Sequence, residues 1–378
     1  MTRTIELLEI AEHVERLDGE RRASRMRDRS RRRGRKPRRA RASADAPPLP
    51  ASLVCSARRL SIPTVTAETE LAVEWNGATF TAVWLDHGAV MATSLDAALT
   101  AQPITRVVRG PVDGIAGVVS LSATTLVTTV TGGSQTLWSS PGLGPGTEIH
   151  TETSVAARAS IVGDATKIPR AWVRGGPTGM IASYVRLDAT LGADAPLPTP
   201  NPVISIAGAD NSDHGHVTWT ERIGASAQCF QADLDFVLPT LPTLAGGDLV
   251  SDDCLDARID SGPPAMDAIL TAWRTTPRTI EVRYHGGVVN VARNLSVRGR
   301  APRPRFDGTR FWVAWIDEPS QGDRLRIATV EEDLTMNAVD VSGWEPVSDR
   351  AFELVRGADG VYLFLLGTDT LSILKTCP

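Results

Sequence analysis

Aromatic residues and long apolar runs are scarce in this sequence. Only 19 of the 378 residues are Phe, Trp or Tyr, whereas 57 are Gly or Pro, and this turn-rich composition excludes a collagen or a coiled coil. No run of 18 apolar residues occurs, so the sequence predicts no helix that crosses a membrane. The segment from Ala42 to Val54 contains three prolines and one Asp, which excludes it as the apolar core of a secretory signal.

The motifs of several enzyme classes are also missing. There is no Gly-x-Ser-x-Gly, no Gly-x-x-x-x-Gly-Lys and no Gly-x-Gly-x-x-Gly, so nothing predicts a serine nucleophile, a phosphate-binding loop or a dinucleotide fold. The four cysteines include no Cys-x-x-Cys and no pair closer than 25 residues, which disfavours a zinc or redox site. The sequence therefore predicts no cofactor.

Charge divides the chain into two parts. Residues 1–50 carry a net charge of +7, and residues 51–378 therefore carry −11. Between Arg21 and Arg41, 13 basic residues stand against Asp28 alone, and so much self-repulsion predicts a disordered arm. We expect a short amphipathic helix before the arm and a proline-rich linker after it. The arm is the one segment for which nucleic acid or anionic lipid is an expected partner.

From residue 70 on, the sequence repeats one pattern of short strands. The segment Trp75–Asp86 (WNGATFTAVWLD) overlays Phe306–Asp317 (FDGTRFWVAWID) without gaps. Asn-Gly and Asp-Gly are strong hairpin signals, because both central residues of a type I′ turn need positive φ. Each repeat therefore begins with a β-hairpin whose second strand ends near a Trp.

Marker positions near the ends of these second strands give the period of the repeat. The intervals run from 42 to 54 residues with a mean of 47, which is typical of the four-stranded blades of a β-propeller. We predict an all-β, seven-bladed propeller, with six or eight blades as alternatives, and expect the tryptophans to form the core between blades. The markers are Trp84, Val130, Trp172, Trp219, Trp273, Trp315 and Leu366.

The last repeat stops one strand short. Its three strands are expected at Phe352–Arg356, Val361–Leu366 and Thr370–Thr376, and the missing outer strand is expected at Arg59–Val65. Pairing of the N-terminal and C-terminal strands then closes the ring and leaves no long open edge.

The cysteines fit this closure. Cys55 and Cys377 stand at the ends of the two strands that pair, and Cys229 and Cys254 flank another outer strand. We therefore predict two disulfides, which favour an extracellular or periplasmic location. An exported domain conflicts with the lack of a signal sequence, and we interpret residues 1 to about 45 as a non-native extension; a genuine cytosolic arm is the alternative.

The pattern of Asp-Gly or Asn-Gly, an aromatic residue, and then Ala-Val-Trp or Val-Ala-Trp before an acid resembles the repeats of exported bacterial β-propeller proteins of uncharacterised function. The resemblance covers about residues 56–378, but Val130 and Leu366 stand where the family-like Trp is expected. It is a repeat style without a catalytic signature, and it implies only the fold and the compartment.

A charged set follows the second strands and supplies the candidate ligand-binding residues. If the blades are equivalent, these side chains lie on one face around the central channel, where they could bind a ligand or hold an acid and a base. Asp86, Glu221 and Asp317 are the carboxylates that glycoside chemistry would use. The more common role for charged hairpin ends is solvation. The set consists of Asp86, His87, Arg174, Glu221, Arg222, Arg274, Asp317 and Glu318.

His214 and His216 form a separate and weaker candidate. On a strand, residues two apart share a face, so the pair could bind a metal, although an Asn-Ser-Asp-His-Gly-His segment is more often a polar turn.

The sequence thus predicts a non-catalytic binding protein that acts outside the cytoplasm through the loops of one propeller face, with a protein or a carbohydrate as its ligand. Two alternatives stay open. One is a propeller hydrolase or lyase that acts on glycans, and the other is an intracellular scaffold that the arm attaches to nucleic acid or lipid.

Overall fold

The computed structural model describes residues 53–377 except 122, 154–158, 163–169, 177, 187, 211–214, 236–240, 263–267, 277, 287–288, 319–322, 342–345 and 347. The chain divides into two units, Met1–Leu49 and Pro50–Pro378, and every described residue belongs to the second. The predicted helix, arm and linker therefore lie outside the described residues. Within the described part of the chain, no helix has the length and apolar character needed to cross a membrane.

Seven four-stranded antiparallel sheets form the blades. Within each blade the chain runs from the inner strand to the outer strand. The first strand, which completes blade 7, is β1 (Val54–Ser61). Blade 1 contains β2 (Leu71–Trp75), β3 (Thr79–Asp86), β4 (Ala89–Asp96) and β5 (Thr105–Val108). Blade 2 contains β6 (Gly114–Leu121), β7 (Thr124–Thr131), β8 (Ser134–Pro141) and β9 (Thr147–Glu152). Blade 3 contains β10 (Ser160–Val162), β11 (Arg170–Gly176), β12 (Gly179–Val185) and β13 (Leu191–Pro198). Blade 4 contains β14 (Val203–Asp210), β15 (Gly215–Ile223), β16 (Ser226–Asp235) and β17 (Thr243–Ser251). Blade 5 contains β18 (Asp256–Ser261), β19 (Ala268–Arg274), β20 (Ile280–Gly286) and β21 (Val289–Ser296). Blade 6 contains β22 (Gly299–Phe306), β23 (Phe311–Asp317), β24 (Arg324–Val330) and β25 (Met336–Asp340). Blade 7 contains β26 (Phe352–Gly357), β27 (Gly360–Leu366), β28 (Thr370–Thr376) and β1.

The cores lie between neighbouring blades, which explains the apolar runs in the second strands. Six of the seven residues of β23 are buried, and so are six of the eight in β3, because both faces of each strand pack against an adjacent blade. The outer strands β17 and β21 are mostly exposed or half-buried. Burial therefore falls from the inner part of each blade towards the rim.

The five repeat tryptophans lie in these cores. Their exposed fractions run from 0 to 5%. Trp84 packs with residues of blade 7, and Trp315 packs with residues of blade 5. Trp172, Trp219 and Trp273 also contact residues of the blade before their own. Each tryptophan thus contacts the preceding blade.

Two markers of the repeat were placed one residue too late. Leu366 packs against blade 1, the following blade, whereas Leu365 packs against blade 6. In blade 2, Val127 faces blade 1, and alternation along the strand gives that same face to Thr129 instead of Val130. Thr129 Oγ1 accepts a hydrogen bond from Trp138 Nε1 at 2.9 Å. A shift of one residue reverses the face of a strand, so alignment by spacing alone failed where no Trp fixed the register.

The ring closes by pairing of the chain ends, as the sequence predicts. Strand β1 pairs antiparallel with β28 from Val54 opposite Thr376 to Ser61 opposite Thr370. The predicted bounds Arg59–Val65 were wrong for most of their length. Pro63 has no N–H to donate to a ladder, and residues 62–65 instead leave the sheet, with Ile62 and Val65 bonding to the turn before β28.

Both predicted disulfides are present. Cys55 bonds Cys377, with Cα atoms 5.1 Å apart, and Cys229 bonds Cys254, with Cα atoms 5.6 Å apart. Within the described residues no cysteine is free. The first bond joins β1 to the end of β28 and so fastens the closure, while the second lies within blade 4.

The turn between β22 and β23 gives a pH prediction. Asp307 accepts hydrogen bonds from Trp312 Nε1 at 2.7 Å and from the backbone N–H groups of Thr309 and Arg310. Burial acts to raise the pKa of Asp307, but these bonds outweigh it and hold the pKa below the ordinary 3.8. A carboxyl whose pKa is lowered by folding stabilises the fold above its ordinary pKa, and this contribution is lost as the pH falls through its folded value.

We expect Asp307→Asn to lower the free energy of unfolding by about 1 kcal/mol at neutral pH, since charged acceptors bind more strongly than neutral ones. The difference should shrink as the pH falls below 3.8, because the folded carboxyl then takes up its proton, and urea unfolding at neutral and acid pH measures it. Asn76 makes the same turn in blade 1 with two backbone bonds, so Asn76→Asp is the matched reverse variant. A difference that persists unchanged in acid would contradict the assignment.

Candidate functional site

The structure places the charged set near the ends of the second strands. Its side chains form separate contacts with different partners. Asp86 and His87 form one pair, with 2.5 Å between Asp86 Oδ1 and His87 Nδ1. His87 is exposed and has a φ of 49° in the hairpin between β3 and β4. Within the described residues, this is the one pair of the eight whose side chains form a hydrogen bond or ion pair with each other.

Arg174 joins two blades and is buried. It is 0% exposed and donates to Glu152 of blade 2 at 3.1 Å and to Asp194 of blade 3 at 2.9 Å. Its guanidinium lies 4.4 Å from the centre of the Trp172 ring. This geometry holds the two blades together.

Glu221 is also buried between blades. Its carboxylate accepts Trp219 Nε1 at 2.8 Å and Asn201 Nδ2 at 2.9 Å, and it is 1% exposed. The neighbouring Arg222 is exposed on the surface. Glu221 thus anchors the repeat tryptophan of its own strand and offers no free carboxylate to a ligand.

The last three members lie in blades 5 and 6. Asp317 accepts a hydrogen bond from Ser296 and lies 3.7 Å from Arg326 Nη1. Arg274 is half-buried at the end of β19. Glu318 faces the inner strands, and it is the member of the set that connects to a larger network of charges.

That network lies where the inner strands of blades 6, 7 and 1 begin. The sequence alone did not predict it. Arg300 donates to Glu318 at 2.5 Å and to Asp323 at 2.6 Å, and its Nε lies 3.5 Å from Asp349. Glu318 also accepts Arg278 Nη1 at 2.7 Å. Burial acts to raise the pKa of Glu318, but these two arginines lower it.

A second bridge continues the network around the channel mouth. Glu70 Oε1 accepts Arg350 Nη1 at 2.6 Å, and Glu70 Oε2 accepts the backbone N–H of Ile115 at 2.7 Å. Blades 7, 1 and 2 are thereby connected in series. One feature of the sequence could have indicated this network: the inner strand β22 reads GRAPRPRF and contains three arginines. The inner strands β6 and β14 read GIAGVVSL and VISIAGAD and contain no charged residue before position 210.

A cavity of about 560 Å³ opens between blades 5 and 6 on the opposite face. Its floor includes three rings that are 2 to 4% exposed: Tyr284, Phe306 and Phe311. The Phe306 and Phe311 rings are 4.9 Å apart, and Tyr284 meets Phe311 edge-on at 6.0 Å. This volume lies in the range of small-ligand sites.

The rim of this cavity is acidic. Glu331, Glu332 and Asp333 come from the turn between β24 and β25, and all three are exposed. Glu332 and Tyr284 line the same cavity. Burial raises the pKa of Tyr284, and the negative charge of Glu332 raises it further. Arg310 also lines the cavity and lies 3.9 Å from Asp307. The cavity therefore presents an apolar floor below a net negative rim.

The histidine candidate is described only in part. His214 lies outside the described residues, whereas His216 is 1% exposed and its Nδ1 lies 2.7 Å from Asp233 Oδ1. A cavity of about 180 Å³ beside it also includes His285. No group of three or more His, Cys, Asp or Glu in the described part of the chain is placed to hold a metal ion.

No protein-family model and no curated protein matches the sequence. Among solved structures, the WD40 domain of Toxoplasma gondii coronin is similar, with a TM-score of 0.57 and 13% identity over 86% of this chain and 87% of that one. BBS1N, solved in complex with ARL6DN, has a TM-score of 0.50 and 12% identity over 86% of this chain and 97% of that one. Similarity at these identities confirms the propeller fold and shows nothing further.

Proposed function

We propose that this chain is a non-catalytic binding domain that acts outside the cytoplasm. The cavity between blades 5 and 6 is the observation that carries the proposal, because it combines ligand-sized volume, an aromatic floor and an acidic rim. The ligand that suits these groups is a basic segment of a protein partner, since carboxylates and ring faces both attract guanidinium and ammonium groups.

The disulfides support the location. Disulfides persist in oxidising compartments and are rare in the cytosol. Here one of them fastens the two ends of the ring, so the compartment bears directly on the stability of the closure. The repeat style of exported bacterial propellers agrees with this.

The contacts of the charged set favour binding over glycan chemistry. A glycosidase needs two carboxyl groups that flank one bond. Asp86 contacts His87, Glu221 contacts Trp219 and Asn201, and Asp317 contacts Ser296. These three carboxylates belong to blades 1, 4 and 6, and each already has a local partner.

Binding of a basic peptide tests the proposal. We expect an Arg- and Lys-containing peptide to bind the full chain, as measured by isothermal titration calorimetry. Glu332→Gln should weaken binding up to about fivefold, since one exposed ion pair contributes up to about 1 kcal/mol. The double change of Glu331 and Glu332 to Gln should weaken it further. The matched control is Glu68→Gln, which removes an exposed charge elsewhere on the acidic body and should change affinity by less than about twofold.

Two outcomes would contradict this ligand class. The first is equal binding by the Glu332 and Glu68 variants, because the peptide would then sense only the overall charge of the domain. The second is a neutral oligosaccharide that occupies the cavity while the peptide does not bind, which would make the ligand a carbohydrate.

A further inference from the structure

We propose that the channel wall of blades 5 and 6 binds an oxyanion, the carboxylate, sulfate or phosphate group of a ligand, between Arg258 and Arg303. These residues lie on the adjacent inner strands β18 and β22. The site is on the channel, apart from the cavity between the same blades, and is independent of the function proposed above.

Hydrogen bonds between β18 and β22 place the two arginines side by side on the wall. Asp260, two residues after Arg258, accepts Arg305 Nη1 at 3.3 Å and the Phe306 N–H at 2.5 Å, and these donors follow Arg303 by two and three residues. Arg303 is 7% exposed and lies over the Phe352 ring, 5.4 Å from its centre. Burial lowers the pKa of Arg303 and the charge of Arg258 lowers it further, and together they outweigh the carboxylates of Glu353, Asp256 and Asp349, which act to raise it. Two cations this close, one of them buried, favour an anion between them.

The carboxylates near the pair do not satisfy its hydrogen-bond donors. Arg303 Nε is 3.6 Å from Glu353 Oε2, and Arg258 Nε is 3.4 Å from Asp256 Oδ1. Arg258 Nε is buried, and no acceptor among the described residues bonds to it. The hydrogen bond that Arg303 makes in the described part of the chain is from Nη1 to the backbone oxygen of Pro302 at 3.1 Å. An arginine carries five N–H donors, so the pair has donors to spare.

The neighbouring arginines of the same wall show the contrast. Arg300 has carboxylates at 2.5 and 2.6 Å, and Arg350 has one at 2.6 Å. Burial acts to lower the pKa of both residues, yet the hydrogen bonds that they donate to these carboxylates raise it. Carboxylates of the same wall therefore neutralise Arg300 and Arg350, whereas Arg258 and Arg303 keep N–H donors that bond to no carboxylate. Planar guanidinium groups of this kind bind carboxylate, sulfate and phosphate oxygens in pairs.

Sulfate, phosphate and acetate are the probes that test this site. We expect at least one of them to bind the full chain with a dissociation constant of about 1 to 10 mM by isothermal titration calorimetry at constant ionic strength. Arg303→Met preserves the apolar stem over Phe352 and should weaken binding at least about tenfold. The control is Arg222→Gln, an exposed arginine of another blade, which should change affinity by less than about twofold.

Arg258→Gln is the second variant, because Arg258 is 32% exposed and its replacement disturbs packing less. It should also weaken the anion about tenfold while leaving the thermal midpoint without anion close to that of the wild type. Equal affinity in the wild type and both channel variants, or no binding of any probe at about 50 mM, would overturn the proposal. Preference among the three probes identifies which acidic group the channel accepts.

Discussion

Replacing Cys55 and Cys377 together by Ala is expected to lower the free energy of unfolding by about 5 to 6 kcal/mol. The bond spans 322 residues of sequence, and in the chain-entropy model a cross-link restricts the unfolded chain more as the closed loop grows longer. It also holds β1 against β28, the one pairing that joins strands from opposite ends of the ring. Guanidinium unfolding of the full chain under oxidising conditions measures the change.

The second disulfide supplies the matched control. Cys229 and Cys254 are separated by only 25 residues, so their replacement by Ala should cost about 3.5 kcal/mol, less than loss of the closure bond. The account would be contradicted if the short bond contributed more than the long one. It would also be contradicted if the Cys55 and Cys377 variant unfolded like the wild type, because the closure would then not depend on the bond.

Trp315→Ala is expected to lower the free energy of unfolding by about 3 to 5 kcal/mol, the usual cost of truncating a buried aromatic side chain. Trp315 is 0% exposed and packs in the core that joins blades 5 and 6. The Arg326 guanidinium lies 5.7 Å from its ring centre, so this contact is lost as well. Urea unfolding followed by circular dichroism measures the effect.

Trp75→Ala tests whether the position of the tryptophan determines this cost. Trp75 is half-buried at the end of β2 and contacts the Phe80 ring at 4.5 Å, so its truncation should cost about 1 to 2 kcal/mol. Equal losses for Trp75 and Trp315 would contradict the assignment of the repeat tryptophans to the core between blades.

The fold could be predicted because its signals are local and repeated. Asn-Gly at position 76 and Asp-Gly at position 307 mark hairpins, as predicted. The type I′ assignment was wrong, because Gly77 and Gly308 have positive φ whereas Asn76 and Asp307 do not. The period of the tryptophans gave the number of blades, and the chain ends gave the closure. The alignment errors at Val130 and Leu366 arose because these two strands lack the repeat Trp. Without it, the sequence does not determine which residues of the strand face the preceding blade.

The charged set shows how strand alternation limits the prediction of a site. Residues two apart on a strand share a face, so Arg174 and Glu221 lie on the same side as Trp172 and Trp219. That side packs against the preceding blade. Strand alternation can be read from the sequence, and it predicts that Arg174 and Glu221 are buried between blades. It does not predict that they meet at the channel.

The cavity and the channel arginines could not be found in the same way. Tyr284 and Phe306 belong to different blades, and Arg258 and Arg303 are 45 positions apart in the sequence. Their proximity depends on the twist and packing of neighbouring sheets, which hydrophobic periodicity does not specify. The sequence indicated only that the inner strand β22 is polar, because it contains three arginines.

The oxidation state of the four cysteines in protein recovered from its native cells tests the central claim most directly, because an exported domain and an intracellular scaffold differ in it. Thiols would be blocked at the moment of lysis and counted by intact mass. The account predicts that Cys55, Cys377, Cys229 and Cys254 are all oxidised, since both pairs lie at bonding distance in the structure and disulfides persist outside the cytosol. Four free thiols in the folded protein would contradict it and place the propeller in a reducing compartment.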